Sequence, residues 1–218
     1  YRARLRERLG FIRIEPASMG GLWIHAASVG EVQAARPLIA ALRETWPDHA
    51  ITVSTQSPTG ARTLRSHWGD DIRHVFAPID TPGATRRFLD RLQPSLLVLI
   101  EREIWPEMLW QCRQRLTPVA LVNARLSADS AQFYQRWRAL MAPVWSQMAV
   151  VAAADAPSVE HYAALGVPAG RVVLMGFSQG CAMTLLAGLR APQRLAGLVA
   201  LSGYLPLAAT TAAQASEA

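Results

Sequence analysis

Two short stretches of this sequence carry residue types that could do chemistry. In "SVGEV", Ser28 and Glu31 have S-x-x-E spacing. A serine hydroxyl can cap a helix while a glutamate three residues on reaches back to it, which accounts for both residues structurally. The same arrangement holds a carboxylate at the positive end of a helix, where it stays ionised and can take a proton from a hydroxyl. The second stretch is "GFSQG", which sets Ser178 between Gly176 and Gly180. That pattern between a strand and a helix is a nucleophile elbow, with the Gln179 backbone N–H as an oxyanion donor. A glycine-flanked turn without chemistry fits the same five residues. The elbow's acid and base follow the serine in chain order, and no histidine follows His161 within these 218 residues.

Weaker candidates sit at the ends of other apolar runs. "IEREIWPEM" offers Glu101 and Glu103, two acids at i and i+2 that share one side of an extended chain. "NARLS" offers Asn123, Arg125 and Ser127, a forked cation beside a hydroxyl, suited to phosphate or carboxylate. "STQSPTG" puts Thr59 and Gly60 behind Pro58 at a helix start. Each has an ordinary reading as well: a solvated edge, a capped helix with a surface arginine, a plain helix start. The five histidines show no ligand spacing, so no metal site is expected.

The elements that must position these residues alternate regularly. Strands are predicted near 21–28, 50–56, 72–78, 95–101, 119–125, 149–155, 171–176 and 195–203, with helical patterns such as "EVQAARPLIAALRETW" and "TPGATRRFLDRL" between them. Continuously apolar strands separated by helices indicate an α/β fold, a doubly wound parallel Rossmann-like sheet with ligands at the carboxyl ends of its strands. The candidates above fall at that edge.

Composition fits a globular chain, 51% hydrophobic and 17% charged. The formal charge is +6, and every one of the 22 basic residues is arginine. Guanidinium groups grip phosphates and carboxylates at two points, so anionic partners are expected: phosphorylated substrates or acidic lipid rather than nucleic acid. Cys112 and Cys181 offer neither a metal motif nor a disulfide framework. From Phe177 onward only Arg190, Arg194 and Glu217 are charged, a change of character that falls inside a strand.

Several stretches carry a resemblance in order: "LWIHAASVGEVQAARPLI", "STQSPTGA", "FAPIDTPGATRRFLDRLQPSLLVLIEREIWPEMLWQC", "VALVNARLSADSAQFYQR" and "AAADAPSVEHYAALGVPAGRVVLMG". Over residues 1–176 the chain resembles the N-terminal half of the 3-deoxy-D-manno-octulosonic acid (Kdo) transferases. The resemblance implies the acceptor-side domain of a GT-B glycosyltransferase in lipopolysaccharide synthesis, moving Kdo from CMP-Kdo to a lipid A precursor without metal or cofactor. Glu31 then matches the general base, and Glu101 and Glu103 match acids of the cleft. Ser28, Gly30, Thr59, Gly60, Asn123, Arg125 and Ser127 fall on the acceptor side. It also implies that the donor-binding domain lies outside this chain. The basic opening "YRARLRERLG" would follow a membrane anchor and lie against anionic lipid at the cytoplasmic face of the bacterial inner membrane.

From Arg171 the wording changes. "RVVLMGFSQGCAMTLLAGLRAPQRLAGLVALSGYLPL" resembles the elbow region of the carboxylesterase and acyl-protein thioesterase branch of α/β-hydrolases. That resemblance implies a serine hydrolase nucleophile at Ser178. The expected organisation is a transferase domain over 1–176, a hydrolase-like fragment over 177–207 that continues the sheet, and a flexible tail over 208–218.

Overall fold

A computed structural model describes residues 4–102, 104–207, 210–211 and 214–215. The chain divides into two compact units, Tyr1–Ala120 and Leu121–Ala218.

The first unit opens with a single helical turn, α1 (Leu5–Arg8), followed by β1 (Leu22–His25), α2 (Val29–Thr45), β2 (Ile51–Thr55), α3 (Pro58–Trp68), β3 (Arg73–Phe76), α4 (Pro82–Leu92), β4 (Leu96–Ile100) and α5 (Pro106–Gln114). β1 lies between β2 and β4, and all the pairings are parallel: Leu22 stands beside Ile51 on one side and Leu96 on the other. β3 pairs with β2 from Thr52 and Arg73 onward. The chain therefore runs outward from β1 to β3 and returns to β4 on β1's other flank. That reversal is a topological switch point, where open α/β sheets form a crevice.

β1 and β2 are buried at every residue. This is why they read as unbroken apolar runs rather than alternating ones. Trp23 anchors the core, its ring 4.8 Å from that of Phe88 on α4. The predicted strand 21–28 stops at His25 because Ser28, in extended conformation, caps α2.

The second unit comprises most of β5 (Val119–Ala124), then α6 (Ala128–Arg136), α7 (Arg138–Trp145), β6 (Met148–Ala153), α8 (Ala156–Ala164), β7 (Val172–Phe177), α9 (Gln179–Gly188) and β8 (Gly197–Leu201). β7 is paired in parallel with both β6 and β8, Val151 standing beside Val172 and Phe177 beside Leu201. The change in composition at residue 177 thus falls inside one continuous parallel arrangement, as the sequence suggests. Trp145 and Tyr162, both buried, pack edge to face at 5.6 Å. α9 presses on β8 so closely that a Cβ on Gly188 would come within 2.2 Å of the Leu198 side chain. The opposite face of these strands is open: Phe177, Val199 and Leu201 share it by register and all three are exposed.

All eight predicted strands are present. Of the expected flexible tail, residues 208–209, 212–213 and 216–218 lie outside the described residues, while Thr211 is buried and bonds back to the Leu207 carbonyl at 2.9 Å. Among the described residues no helix is long and apolar enough to cross a membrane.

Candidate functional site

In the first unit several of the candidate residues gather at the carboxyl ends of β1, β2 and β4. Ser28 and Glu31 form a variant of the capping box in which the glutamate reaches the N–H of Ala27, one residue before the N-cap. The Ser28 hydroxyl accepts from the Glu31 N–H at 3.3 Å and donates to Glu31 Oε1 at 2.9 Å, while Glu31 Oε2 accepts from the Ala27 N–H at 2.7 Å. The carboxylate is only 8% exposed. Each oxygen retains lone-pair capacity beyond these bonds. The structural and chemical readings of Glu31 are therefore compatible in one geometry.

α3 begins beside it. Ser57 caps α3 by accepting from the Gly60 N–H at 3.0 Å, Pro58 occupies the first helical turn, and Thr59 Oγ1 lies 3.2 Å from the Ser57 hydroxyl. The Gln56 and Ser57 N–H groups both donate to the Ala27 carbonyl, at 2.9 and 3.2 Å. The loops after β1 and β2 are thereby tied together, with Gly60 against the Ser28 backbone. Two helix N-termini converge here, each with a positive end that favours an anionic group.

β4 ends at Ile100, and Glu101 takes a left-handed φ of 64°. The alternation expected to align Glu101 with Glu103 therefore does not apply, because Glu101 sits in a turn rather than in extended chain. Glu103 lies outside the described residues. Glu101 still falls at the switch-point side of β1, two residues past Leu99, which pairs with His25.

In the second unit Asn123 has φ 54°, Arg125 is exposed, and Ser127 caps α6 by accepting from the Ser130 N–H at 3.3 Å. Ser178 is the N-cap of α9 with φ 55° and ψ −118°, a strained conformation for a residue with a Cβ. Its N–H donates to the Leu201 carbonyl at 2.9 Å. A Cβ on Gly176 would lie 2.2 Å from the Gly180 carbonyl oxygen, so the elbow needs its first glycine. The elbow is formed as the motif requires, but the Ser178 hydroxyl makes no hydrogen bond to a described residue.

Several positioning residues escaped the sequence reading. Asp80, after β3, accepts from the Glu107 and Met108 N–H groups at 3.0 and 2.8 Å and so caps α5 from a distance. Burial raises its carboxyl above the usual range, opposed by those two bonds. Ser158 accepts from the Leu126 N–H at 3.0 Å, and His161 Nδ1 lies 2.7 Å from the Leu126 carbonyl oxygen. Together they clamp the "NARLS" loop. His25, fully buried at the end of β1, is bonded through Nδ1 to Ser54 at 2.9 Å, and its ring meets that of Trp105 edge-on at 6.3 Å. Partners 27 to 35 residues apart leave no local spacing signal. Among the described residues there is no group of three or more metal-ligating side chains.

Parallel strands separated by helices, with a topological switch point beside β1, define a Rossmann-like α/β fold. Residues 3–178 match the family described as 3-deoxy-D-manno-octulosonic-acid transferase (kdotransferase), and the chain belongs to that family. Among curated relatives, the 3-deoxy-D-manno-octulosonic acid transferase of Haemophilus influenzae is 40% identical over 177 residues, covering 81% of this chain and 42% of the relative. That of Bordetella pertussis is 42% identical over 112 residues, covering 50% of this chain and 26% of the relative. A probable mitochondrial enzyme of the same name from Arabidopsis thaliana is 34% identical over 116 residues, covering 53% and 25%. The chain thus spans less than half the length of these relatives. Residues 156–218 also match the Phospholipase/Carboxylesterase family. The two matches overlap from 156 to 178, so α8, β7 and Ser178 are common to both.

Proposed function

We propose that this chain is the acceptor-side half of a Kdo transferase, in which Glu31 deprotonates a sugar hydroxyl of a lipid A precursor that accepts Kdo from CMP-Kdo. The observation that carries this reading is the preorganised Glu31 carboxylate, buried at the switch point with both oxygens already oriented by Ser28 and Ala27. A base fixed in this way loses little rotamer freedom when substrate arrives. Glu101 follows β4 at the same end of the first unit's strands, and in the second unit Arg125 with Ser127 offers a forked cation and hydroxyl of the kind that suits a phosphate. Such an acceptor would place the protein at an anionic membrane surface.

The test is titration of a detergent-solubilised lipid A precursor into the purified chain. Saturable binding is expected, weakened about tenfold in Arg125→Ala through loss of a charge-assisted bond. Glu31→Gln should bind normally, since a base acts on the transition state and glutamine also closes a capping box. Absence of saturable binding in the parent chain overturns the reading.

The strained elbow at Ser178 favours one second reading, ester hydrolysis. A p-nitrophenyl ester assay separates the two: turnover lost in Ser178→Ala supports it, and equal turnover removes it. With His161 engaged by the Leu126 carbonyl, equal turnover is the expected outcome.

A further inference from the structure

A polar cavity lies in the first unit, away from the capped helix starts. It has a volume of about 690 Å³ and opens along the edge of β3, beneath α1 and the returning segment 11–13. Arg73 is the first residue of β3 and Arg91 is in the last turn of α4. In a parallel sheet these positions mark the amino end of the strands, the reverse of the Glu31 end. The volume is in the range of small-ligand sites.

Its lining is strongly biased. Arg4, Arg6, Arg13, Arg73 and Arg91 contribute five guanidinium groups, against the single carboxylate of Glu7. Arg4 pairs with Glu7, and Arg73 reaches the exposed Glu15 at 3.2 Å. Arg73 also donates to the Arg13 carbonyl at 3.2 Å, while the Arg6 and Arg13 guanidinium groups have no hydrogen-bond or ion-pair partner among the described residues. His74, also in the wall, is held down to about 4, first by burial and then by Arg4 and Arg65, so it adds no charge at neutral pH. The formal charge of the lining is then +4, five arginines less one glutamate. The rim is apolar, with Leu5 and Phe11 both exposed. Like charges gathered around a cavity repel one another, and the arrangement gains most from an anion with several acceptor oxygens.

We propose that this α1–β3–α4 cavity is a phosphate-binding site, distinct from the Glu31 crevice, in which Arg6, Arg13 and Arg91 grip a phosphate or pyrophosphate group. Arg4 and Arg73 hold the walls through their carboxylate partners. The group can be borne by a soluble molecule or by a lipid headgroup, and the chemistry at the arginines is the same.

The purified chain is titrated with inorganic pyrophosphate by calorimetry at low salt, and separately sedimented with phosphatidylglycerol and with phosphatidylcholine vesicles. The doubly substituted Arg13→Ala, Arg91→Ala chain is compared with a control carrying Arg136→Ala and Arg138→Ala, both exposed on α6 and α7. We expect saturable binding that falls at least tenfold in the cavity variant and less than twofold in the control. Binding of pyrophosphate identifies a soluble phosphate as sufficient; binding of anionic vesicles alone identifies a headgroup. No saturable binding of either probe, or equal loss in both variants, overturns the site. Binding of the lipid A precursor and its sensitivity to Arg125→Ala report on a residue of the second unit, outside this cavity, so the two proposals fail separately.

Discussion

The outer strand of the first unit and the outer strand of the second are finished in different ways. At β3, side chains from the opening turn serve the exposed edge. Glu7 accepts from the Phe76 N–H at 2.9 Å, and the Arg4 guanidinium contacts His74 Nδ1 at 3.3 Å and its carbonyl at 3.5 Å. Charged groups on an edge in this way discourage pairing with other chains. At β8 no described strand lies beyond, and Val199 and Leu201 face outward beside Phe177, which is 69% exposed. The residues of β7 and β8 have the composition of interior strands, covered on both faces, yet among the described residues only the α9 side is covered. A segment can thus form its local strand, elbow and helix correctly while lacking the surroundings for which its side chains are suited.

The largest test of this contrast compares two phenylalanines. Phe88→Ala should cost about 3–5 kcal/mol, because its ring is fully buried against Trp23. Phe177→Ala should change stability by less than about 0.5 kcal/mol, as expected for an exposed side chain. Urea denaturation measures both; similar losses would erase the distinction between the units.

Acid probes the sealed edge. His74 titrates at about 4 in the folded chain against an ordinary value of 6.5, through burial first and then the nearby Arg4 and Arg65. The unfolded chain binds this proton more readily, so the stability is complete above pH 6.5 and is lost as pH falls toward 4. The total loss is about 3 kcal/mol. The pH dependence of the urea midpoint should flatten over that window in His74→Phe; an unchanged slope would show that the β3 edge is not the acid-sensitive element.

The smallest effect concerns the elbow. Ser178→Gly relieves a φ of 55° that a Cβ disfavours, and should raise the melting temperature by the equivalent of about 1 kcal/mol. A loss of stability would mean that the serine side chain supports the turn.

The sheet was legible in the sequence because its strands are apolar without interruption and its helices are long enough to cross between them. The limits of the strands were less so: β1 stops three residues early because Ser28 is committed to capping. Ser28 and Glu31 were legible as a pair since both partners lie within one helical turn. Asp80 was not, because its partners in α5 are 27 and 28 residues away and only the fold brings them together. Glu101 was read as extended chain, and nothing in "LLVLIERE" announces the left-handed turn that it adopts. The Arg-lined cavity was invisible for a related reason: its basic residues come from four separate stretches between positions 4 and 91.

The clamp on the "NARLS" loop bears on how such a chain could be recombined. Ser158 and His161 hold both backbone groups of Leu126, and both lie inside the segment that matches two families. A crossover placed before residue 158 would hand that loop to whatever side chains the incoming sequence carries there. One placed in β7, where the wording changes, keeps Ser158 and His161 together with the loop they clamp.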